Sequence, residues 1–259
     1  MTGRTGQFVL RLARSDEDIV AAQRLRYRVF VEELQGDGPM VDHDARLERD
    51  RFDPFFDHLV LFDEAWEGDH IDSAVGVYRL MRDDQAQRAG GFYSADEYDL
   101  SALKATGRRL VELGRSCVDS RVRGGTAMFH LWNGLADYVL SHGIDVLFGV
   151  ASFHGTDIDR LRQPLAYLHH HYLAPPEIRV RVQPGHFQTM DLMAKNAVDK
   201  TRAMVSMPAL IKAYLRLGGF VGEGAFIDHD FNTVDVCLLM DTAQMSAKHR
   251  AYYTKGRVA

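Results

Sequence analysis

The sequence predicts a single α/β domain over residues 1–259, in which β-hairpins alternate with helices. Apolar runs that favour β-structure alternate along the chain with segments of helical period. Hydrophobic residues make up 46% of the 259 residues, which is enough for a substantial core. No internal repeat, low-complexity tract or clear linker divides the chain, so we expect one domain.

Composition excludes several classes of protein. The net charge of −5 argues against a duplex-binding surface, so no nucleic-acid partner is expected. The two cysteines, Cys117 and Cys237, lie in apolar runs without a CxxC spacing, which indicates a reducing compartment. Residues 1–7 lack the apolar core of a signal peptide, and no run approaches the ~20 apolar residues of a membrane span. We therefore expect a cytoplasmic protein.

The N-terminal third predicts a strand, a helix and a hairpin. Residues 7–13 alternate as a strand, and Ser15 caps a helix over residues 16–34 with acids in its first turn. Residues 35–53 are polar and without period, which predicts a long loop of the kind that is often functional. Two further apolar runs predict a β-hairpin, at residues 58–63 and 73–81.

The remaining elements follow from the same signals. Residues 83–106 predict a mobile excursion, and residues 157–172 predict a helix that Pro164 kinks near its middle. Gly143 ends one predicted helix, and Pro208 and Gly218 bound another. The predicted strands are 110–119, 144–153, 178–182, 225–228 and 233–240. The other predicted helices are 127–142 and 209–217, and residues 187–203 are ambiguous.

The strand at residues 110–119 has the most distinctive chemistry. It contains Glu112 and Arg115 and is followed by a basic, glycine-bearing loop at residues 121–126 and then by a helix. Loop amides at a helix N-terminus suit phosphate or developing negative charge, and a carboxylate can accept the proton of an incoming amine. This combination suits an acyl thioester as substrate. The alternative is a buried strand with one internal ion pair and a glycine turn.

Strand geometry decides whether the Glu112 and Arg115 side chains lie on the same face of the strand. Alternation places them on opposite faces unless a bulge at Gly114 brings them together, which would also free backbone amides for the thioester oxyanion. An inward-facing carboxylate should have a raised pKa unless Arg115 offsets the burial. We expect Glu112 to receive the proton of the acceptor amine, directly or through a water.

The order of elements resembles the Gcn5-related N-acyltransferase fold, and the loop Arg121-Val-Arg-Gly-Gly-Thr126 is similar to its pyrophosphate-binding loop. The resemblance implies a mixed, mainly antiparallel central sheet flanked by helices. It also implies that the acyl donor binds along the end of the strand and the loop. The residues expected there are Ser116, Cys117, Val118, Arg121, Arg123, Gly124, Gly125 and Thr126.

A second resemblance concerns the acyl-homoserine lactone synthases. Leu25-Arg-Tyr-Arg-Val-Phe30 is similar to their signature, and Asp53, Asp57, Gly76-x-x-Arg79 and Glu112-x-x-Arg115 follow in their order. Two departures lie where their S-adenosylmethionine acceptor would bind. Gly36 replaces a tryptophan, and the family's two aspartates stand one residue closer together. The resemblance implies catalytic roles for Glu112 and Arg115, and substrate binding by Arg26, Phe30, Asp53, Asp57 and Arg79.

A resemblance to the ornithine lipid synthases, a group of hemolysin-like N-acyltransferases, covers nearly the whole chain. It rests on residues 152–157, 208–218 and 228–235. It implies transfer of a 3-hydroxyacyl group to the α-amine of L-ornithine, giving lyso-ornithine lipid. The donor would be carried on the phosphopantetheine of acyl carrier protein, with no other cofactor. Because the product is a lipid, peripheral contact with the inner membrane is compatible with this function.

Several side chains have alternative roles. Arg26 and Arg79 could hold the acceptor carboxylate, or could form ion pairs with Asp53 and Asp57, and those aspartates could instead receive the ornithine ammonium. Phe30 could line the acyl chain or belong to the core. Arg121 and Arg123 could meet the phosphopantetheine phosphate or the acidic carrier protein. A buried Cys117 thiol favours direct attack by the amine over a covalent acyl-enzyme.

His169, His170 and His171 raise the question of a metal site. Consecutive helical residues point about 100° apart and no fitting cysteine or glutamate partner stands nearby, so we expect no metal and a structural or surface role. For the whole protein, alternatives to an ornithine acyltransferase are an acyltransferase for glutamine or glycine, a lactone-synthase-like enzyme, or an inactive module that binds acyl ligands.

Overall fold

The computed structural model describes residues 8–244, which fall into two compact units. Of the described residues, one unit comprises 8–89 and 113–143, and the other comprises 90–112 and 144–244. The boundary lies within a single strand, between Glu112 and Leu113. The single domain over residues 1–259 therefore stays a prediction, and its ends at 1–7 and 245–259 lie outside the described residues.

The strands of the described chain are β1 Phe8–Leu12, β2 Asp57–Asp63, β3 Ala74–Arg82, β4 Tyr98–Asp99, β5 Leu110–Val118, β6 Val146–His154, β7 Arg181–Val182, β8 Phe220–Val221, β9 Phe226–Asp228 and β10 Thr233–Asp241. Its α-helices are α1 Asp16–Arg26, α2 Asp83–Ala89, α3 Ser101–Ala105, α4 Ala127–His142, α5 Arg162–Tyr172, α6 Lys200–Ser206 and α7 Ala209–Arg216.

In the first unit, β1, β2 and β3 form an antiparallel sheet, with β5 beside β3. Helix α1 lies on this sheet, and its small residues Ala21 and Ala22 are fully buried against Val60 and Val77. Helix α4 packs on the same strands. Gly134 permits that close approach, because a Cβ there would come within 2.3 Å of the Leu10 side chain.

Helix α1 begins as its sequence predicts and then changes geometry. Ser15 is the N-cap, with its hydroxyl accepting from the Asp18 amide at 3.3 Å, and three acids occupy the first turn. After Arg26 the chain continues as a π-helical segment, Tyr27–Glu33. Segments of this kind often occur at functional sites, and this one contains Phe30.

In the second unit, β6, β10 and β8 are antiparallel neighbours, and β9 also pairs with β10. The start of β5 is parallel to β6, over residues 110–112. A separate pair joins β4 to β7. Together with the first unit, this mixed and mainly antiparallel pairing confirms the predicted fold class.

The structure differs from the sequence prediction at two places. Residues 83–106, for which the sequence predicted no helix or strand, form short helices, and the Phe92, Tyr98 and Leu103 side chains are buried. Helix α5 begins at Arg162, so Pro164 lies in its first turn and not at its middle. A proline there breaks no intrahelical hydrogen bond, since amides of the first turn have no partner within the helix.

None of the helices formed by residues 8–244 combines the length and the apolar character needed to cross a bilayer.

Candidate functional site

A buried ion-pair cluster occupies the first unit. Arg26 at the end of α1 and Arg79 on β3 are both fully buried, and both donate to Asp53, at 2.6 and 2.7 Å. The amide of Gln23 donates to the other Asp53 oxygen at 2.9 Å. Three of the predicted substrate-binding residues therefore do meet. They meet as an ion-paired group, which was the alternative role for them.

Two acids that sequence reasoning missed complete this cluster. Glu48, 1% exposed, accepts from Nε of Arg26 and, at 3.1 Å, from Nε of Arg115. Asp50 accepts from Arg79 at 2.8 Å and lies 3.4 Å from Arg115. The available signal was the run Glu48-x-Asp50-x-x-Asp53. Asp50 and Asp53 are one residue closer together than Asp53 and Asp57.

The acids of the cluster are ionised because of their arginine partners. Burial alone would raise the pKa of Asp53, but Arg26 and Arg79 outweigh it and hold that pKa far below its usual range. Burial would also raise the pKa values of Glu48 and Asp50, but their arginine partners outweigh it and lower both pKa values. With two oxygens accepting four hydrogen bonds, the Asp53 carboxylate is saturated by its own chain.

His58, at the start of β2, lies beside this cluster. Burial lowers its pKa to about 4, although the nearby Asp53 carboxylate opposes that shift. A ring nitrogen, Nε2, is 3.1 Å from the Asp53 carbonyl oxygen and donates to it in the neutral form. His58 is thus a neutral buried residue at ordinary pH.

Asp57 belongs to a different group of side chains. Its carboxylate accepts from Arg82 and from the Tyr138 hydroxyl, both at 2.6 Å, and is 31% exposed. The sequence suggested that Asp57 pairs with Arg26 or Arg79. In the structure its partners are Arg82 and Tyr138 instead. Arg82 and Tyr138 were not among the predicted residues, since they lie 25 and 81 positions away in the sequence.

Glu112 lies in the second unit, on the first part of β5, and is 1% exposed. Its carboxylate accepts from the backbone amides of Tyr93 and Ser94, at 2.8 and 2.6 Å, and from the Ser94 hydroxyl. These bonds attach the turn at residues 93–96 to β5. Glu112 therefore has a structural role that its sequence position did not reveal.

Arg115 interrupts β5 three residues further along. Its φ is +49°, in the left-handed region, so the backbone irregularity expected at Gly114 falls on the next residue. Its guanidinium forms ion pairs with Glu48 and Asp50. The Arg79 guanidinium packs against Gly114: a Cβ built on this glycine would lie 3.7 Å from Nη2 of Arg79. Arg115 thus joins the buried cluster while remaining 13% exposed.

The glycine-bearing loop is a succession of turns that leads into α4. Asp119 anchors it by accepting from the amide and the side chain of Arg121, at 2.9 and 2.8 Å. Arg123 bonds the Val118 carbonyl at 2.8 Å and pairs with Glu33. Gly124, Gly125 and Thr126 are exposed. The backbone at Gly124 has φ +86°, in the left-handed region that favours glycine. The first amides of α4 follow, where an anion is favoured.

The other predicted donor residues differ in exposure. Cys117 and Val118 are buried, and burial raises the pKa of the Cys117 thiol well above its usual range, which makes it a poor nucleophile. Ser116 is half-buried. Phe30 is also half-buried and packs at the edge of the first unit's core. One face of Phe30 thus belongs to the core.

The long loop after α1 forms an open cavity of about 460 Å³ in the first unit. Its polar lining includes Asp42, His43, Asp44 and Arg49. Arg49 neutralises Asp42 at 2.9 Å, whereas Asp44 is exposed. A cavity with this lining suits a small cationic ligand.

Two of the three consecutive histidines approach one carboxylate. Nε2 of His170 lies 3.5 Å from Asp191, and Nε2 of His169 lies 3.9 Å from it. The two rings converge on Asp191 because long imidazole side chains at a helix end can reach one group even though their Cα–Cβ directions diverge. The absence of a metal at these histidines stays a prediction. His171 instead packs against Tyr167, with ring centroids 4.8 Å apart.

Comparisons with known proteins agree with this architecture. Residues 25–133 match the acetyltransferase (GNAT) domain family. The chain covers 93% of an N-acyl amino acid synthase, FeeM, from uncultured soil microbes, with a TM-score of 0.54 and 14% identity. It covers 98% of the AHL synthase LasI, with a TM-score of 0.52 and 14% identity. At such identities these likenesses establish the fold alone.

Sequence relatives are much closer. An L-ornithine N(alpha)-acyltransferase from Rhodobacter capsulatus is 61% identical over 248 residues, which cover 96% of this chain and 95% of the relative. A protein of the same name from Brucella abortus is 44% identical over 253 residues, covering 97% and 90%. Over nearly its whole length, therefore, this chain belongs to the family of L-ornithine N(alpha)-acyltransferases.

Proposed function

We propose that this protein transfers a 3-hydroxyacyl group from acyl carrier protein to the α-amine of L-ornithine, giving lyso-ornithine lipid. The observation that supports this most directly is the 61% identity, over 96% of the chain, to a protein named for acylation of that amine. The GNAT-type fold is consistent with acyl transfer to an amine.

The reaction is an attack by an amine on a thioester. The α-ammonium first loses one proton to a base, which gives the neutral amine. The nitrogen lone pair then adds to the thioester carbonyl carbon, the C–S bond breaks, and a second nitrogen proton passes to the departing sulfur, which leaves as the thiol. We assign Glu112 as the group that receives a proton, directly or through water, while its bonds to Tyr93 and Ser94 hold it in place. Reference pKa values are about 8 for a peptide α-amine and about 10.4 for a side-chain amine, a difference of roughly 3 kcal/mol in favour of deprotonating the α position. In free ornithine the neighbouring carboxylate raises the pKa of the α-amine and narrows this difference, so the pocket must supply the rest of the selectivity.

We assign the donor to the loop at residues 121–126. Its exposed glycines and the first amides of α4 suit the phosphate of phosphopantetheine. Arg121 and Arg123 are 42% and 50% exposed, so each can meet the phosphate or an acidic carrier protein in addition to its partner within the chain. No further cofactor is part of this proposal.

We assign the acceptor side chain to the cavity at residues 39–49, since Asp53 is saturated by its own chain. Asp44 is the exposed carboxylate there that can receive the ornithine ammonium. Asp44→Asn should raise KM for ornithine about tenfold with little change in kcat. Asp159→Asn, an exposed aspartate of the second unit, is the control; equal KM values for the two variants would refute the assignment.

One assay tests the function as a whole. Purified protein is given 3-hydroxyacyl carrier protein with ornithine, glutamine or glycine, and both thiol release and lipid product are followed. We expect release and product with ornithine. Faster turnover with glutamine or glycine would overturn the substrate assignment, and no release with any amine would indicate a module that only binds acyl ligands.

We also propose a cytoplasmic location with peripheral contact at the inner membrane, because an acylated product enters the bilayer. Met128 and Phe129, 37% and 47% exposed at the start of α4, are apolar groups available for such contact. Flotation with phospholipid vesicles tests this proposal. We expect part of the protein to float with the vesicles, and its complete absence from the vesicle fraction would refute the contact.

A further inference from the structure

His169, His170 and Asp191 form a cluster that the proposed acyl transfer does not use. All three lie in the second unit, at the last turn of α5 and in the segment that follows β7. One ligand atom from each residue lies within 4.8 Å of the other two. Among residues 8–244, no other three histidine, cysteine or acidic side chains bring their donor atoms this close together.

The distances suit a small ion at the centre of the cluster. Zinc binds imidazole nitrogen and carboxylate oxygen at about 2.0–2.2 Å, which puts neighbouring donor atoms some 3–3.5 Å apart. The distances from the Asp191 oxygens to Nε2 of His170 and His169 are 3.5 and 3.9 Å. These two distances involve different Asp191 oxygens, and one donor atom from each of the three residues lies within 4.8 Å of the other two. Binding of one ion therefore requires the exposed Asp191 side chain and the imidazole rings to move inward by about 1 Å.

The backbone supplies a fourth donor atom. The carbonyl oxygen of Met193 lies 2.8 Å from Nε2 of His170. In the metal-free chain Nε2–H donates to that oxygen. To bind a metal ion through Nε2, the neutral imidazole carries its proton on Nδ1 instead. With this carbonyl the cluster offers two nitrogen and two oxygen donors.

The site is also built into the fold before any ion arrives. Helix α5 is already bonded to the following segment at its other end, through Arg162 to the Leu192 carbonyl at 3.1 Å and through Gln163 to the Asp199 amide at 2.8 Å. His169 and His170 are 25% and 15% exposed, so they are held yet reachable from solvent, and Asp191 is 57% exposed.

We propose that His169, His170 and Asp191 bind a divalent transition-metal ion of the zinc type. The ion fastens the segment at residues 187–199 to the end of α5. Nitrogen and oxygen donors of this kind favour Zn²⁺ or Co²⁺ over Mg²⁺ or Ca²⁺, which prefer oxygen alone. The two buried cysteine thiols, Cys117 and Cys237, do not compete for the ion.

The test is metal binding to the full-length protein without a histidine tag. We expect one equivalent of Zn²⁺ to bind at micromolar concentration by calorimetry, and Tm to rise when zinc is added. Co²⁺ should give the visible absorption of a four- or five-coordinate site. Mg²⁺ should do neither.

Variants locate the ion. His170→Ala and Asp191→Asn should each weaken zinc binding by roughly tenfold or more and abolish the cobalt spectrum. His171→Gln is the matched control, because that ring packs on Tyr167 and should leave the affinity unchanged. Zinc affinity that is absent from the wild type, or that survives both substitutions, would overturn the proposal and leave a simple His–Asp ion pair.

Discussion

Asp53 accepts hydrogen bonds from Arg26, Arg79 and Gln23 and is 5% exposed. Asp53→Asn would leave two buried guanidiniums facing a neutral amide, so the free energy of unfolding should fall by about 3–5 kcal/mol. Urea denaturation measures this. Asp57→Asn is the control, because its pairs with Arg82 and Tyr138 are partly exposed and should contribute no more than about 1 kcal/mol.

A cost for Asp53→Asn no larger than that for Asp57→Asn would contradict a structural role for the buried cluster. The sequence left open, as one of two roles, that Arg26 and Arg79 pair with Asp53. It could not predict that Glu48 and Asp50 would neutralise them, because the distance from α1 to those acids depends on the path of a loop without periodicity.

Glu112 combines a structural and a chemical assignment at one residue. Glu112→Gln should lower turnover by about 10²–10⁴-fold, since the amide cannot take up the proton of the acceptor amine. Ser94→Ala removes one hydrogen bond to the same carboxylate without removing the base, so most of the turnover should remain. Thiol release under saturating substrate measures both.

Two results would separate the roles of Glu112. Near-normal turnover by Glu112→Gln would remove it from the mechanism. Equal losses in Glu112→Gln and Ser94→Ala, with equal losses of Tm, would mean that Glu112 acts by holding the turn at residues 93–96 and not as a base.

At the scale of elements, the loop before α4 depends on one glycine. Gly124 has φ +86° and open space around its Cβ position, so the cost of Gly124→Ala lies in the backbone and is about 1–2 kcal/mol. We expect KM for acyl carrier protein to rise while kcat changes less. Gly185→Ala is the control, since space is also open there and its φ is not among the positive values. Unchanged KM in Gly124→Ala would remove this loop from donor binding.

Elements with strong local signals were predictable. Ser15 and its acids begin α1, Gly143 with φ +60° ends α4, and Pro208 and Gly218 bound α7. The short helices at residues 83–106 were not predictable, because this segment is held by contacts with residues far away in the sequence. Tyr98, for example, donates to the Asp235 carbonyl at 3.0 Å, 137 positions along the chain.

At the scale of the whole molecule, stability should depend on pH through His58. Its folded pKa of about 4 lies below the reference value of 6.5. Between these values the unfolded chain binds more protons, so the free energy of unfolding falls as pH drops from 6.5 to 4, by up to roughly 3 kcal/mol. Below about pH 4, protonation of Glu48, Asp50 and Asp53, whose pKa values are lowered, adds a further loss.

Urea denaturation at a series of pH values measures this dependence. His58→Gln keeps a donor for the Asp53 carbonyl but cannot titrate, so its stability should be flatter between pH 6.5 and 4. An identical slope in the variant and the wild type would show that His58 is not the group that titrates in this range.

The sequence by itself determined the alternation of helices and strands, the positions of the caps and the place of the glycine-bearing loop before α4, and it offered the pairing of Arg26 and Arg79 with Asp53 as one alternative. Those features depend on hydrophobic periodicity, on capping and helix-ending residues, and on short motifs, all of which are local in the sequence. Only the tertiary structure decided which acids face these arginines, that Glu112 holds a turn, that Asp57 pairs with Arg82, and that His169 and His170 share Asp191. Each of these is a contact between segments far apart in the chain, and a linear pattern contains no distances between such segments.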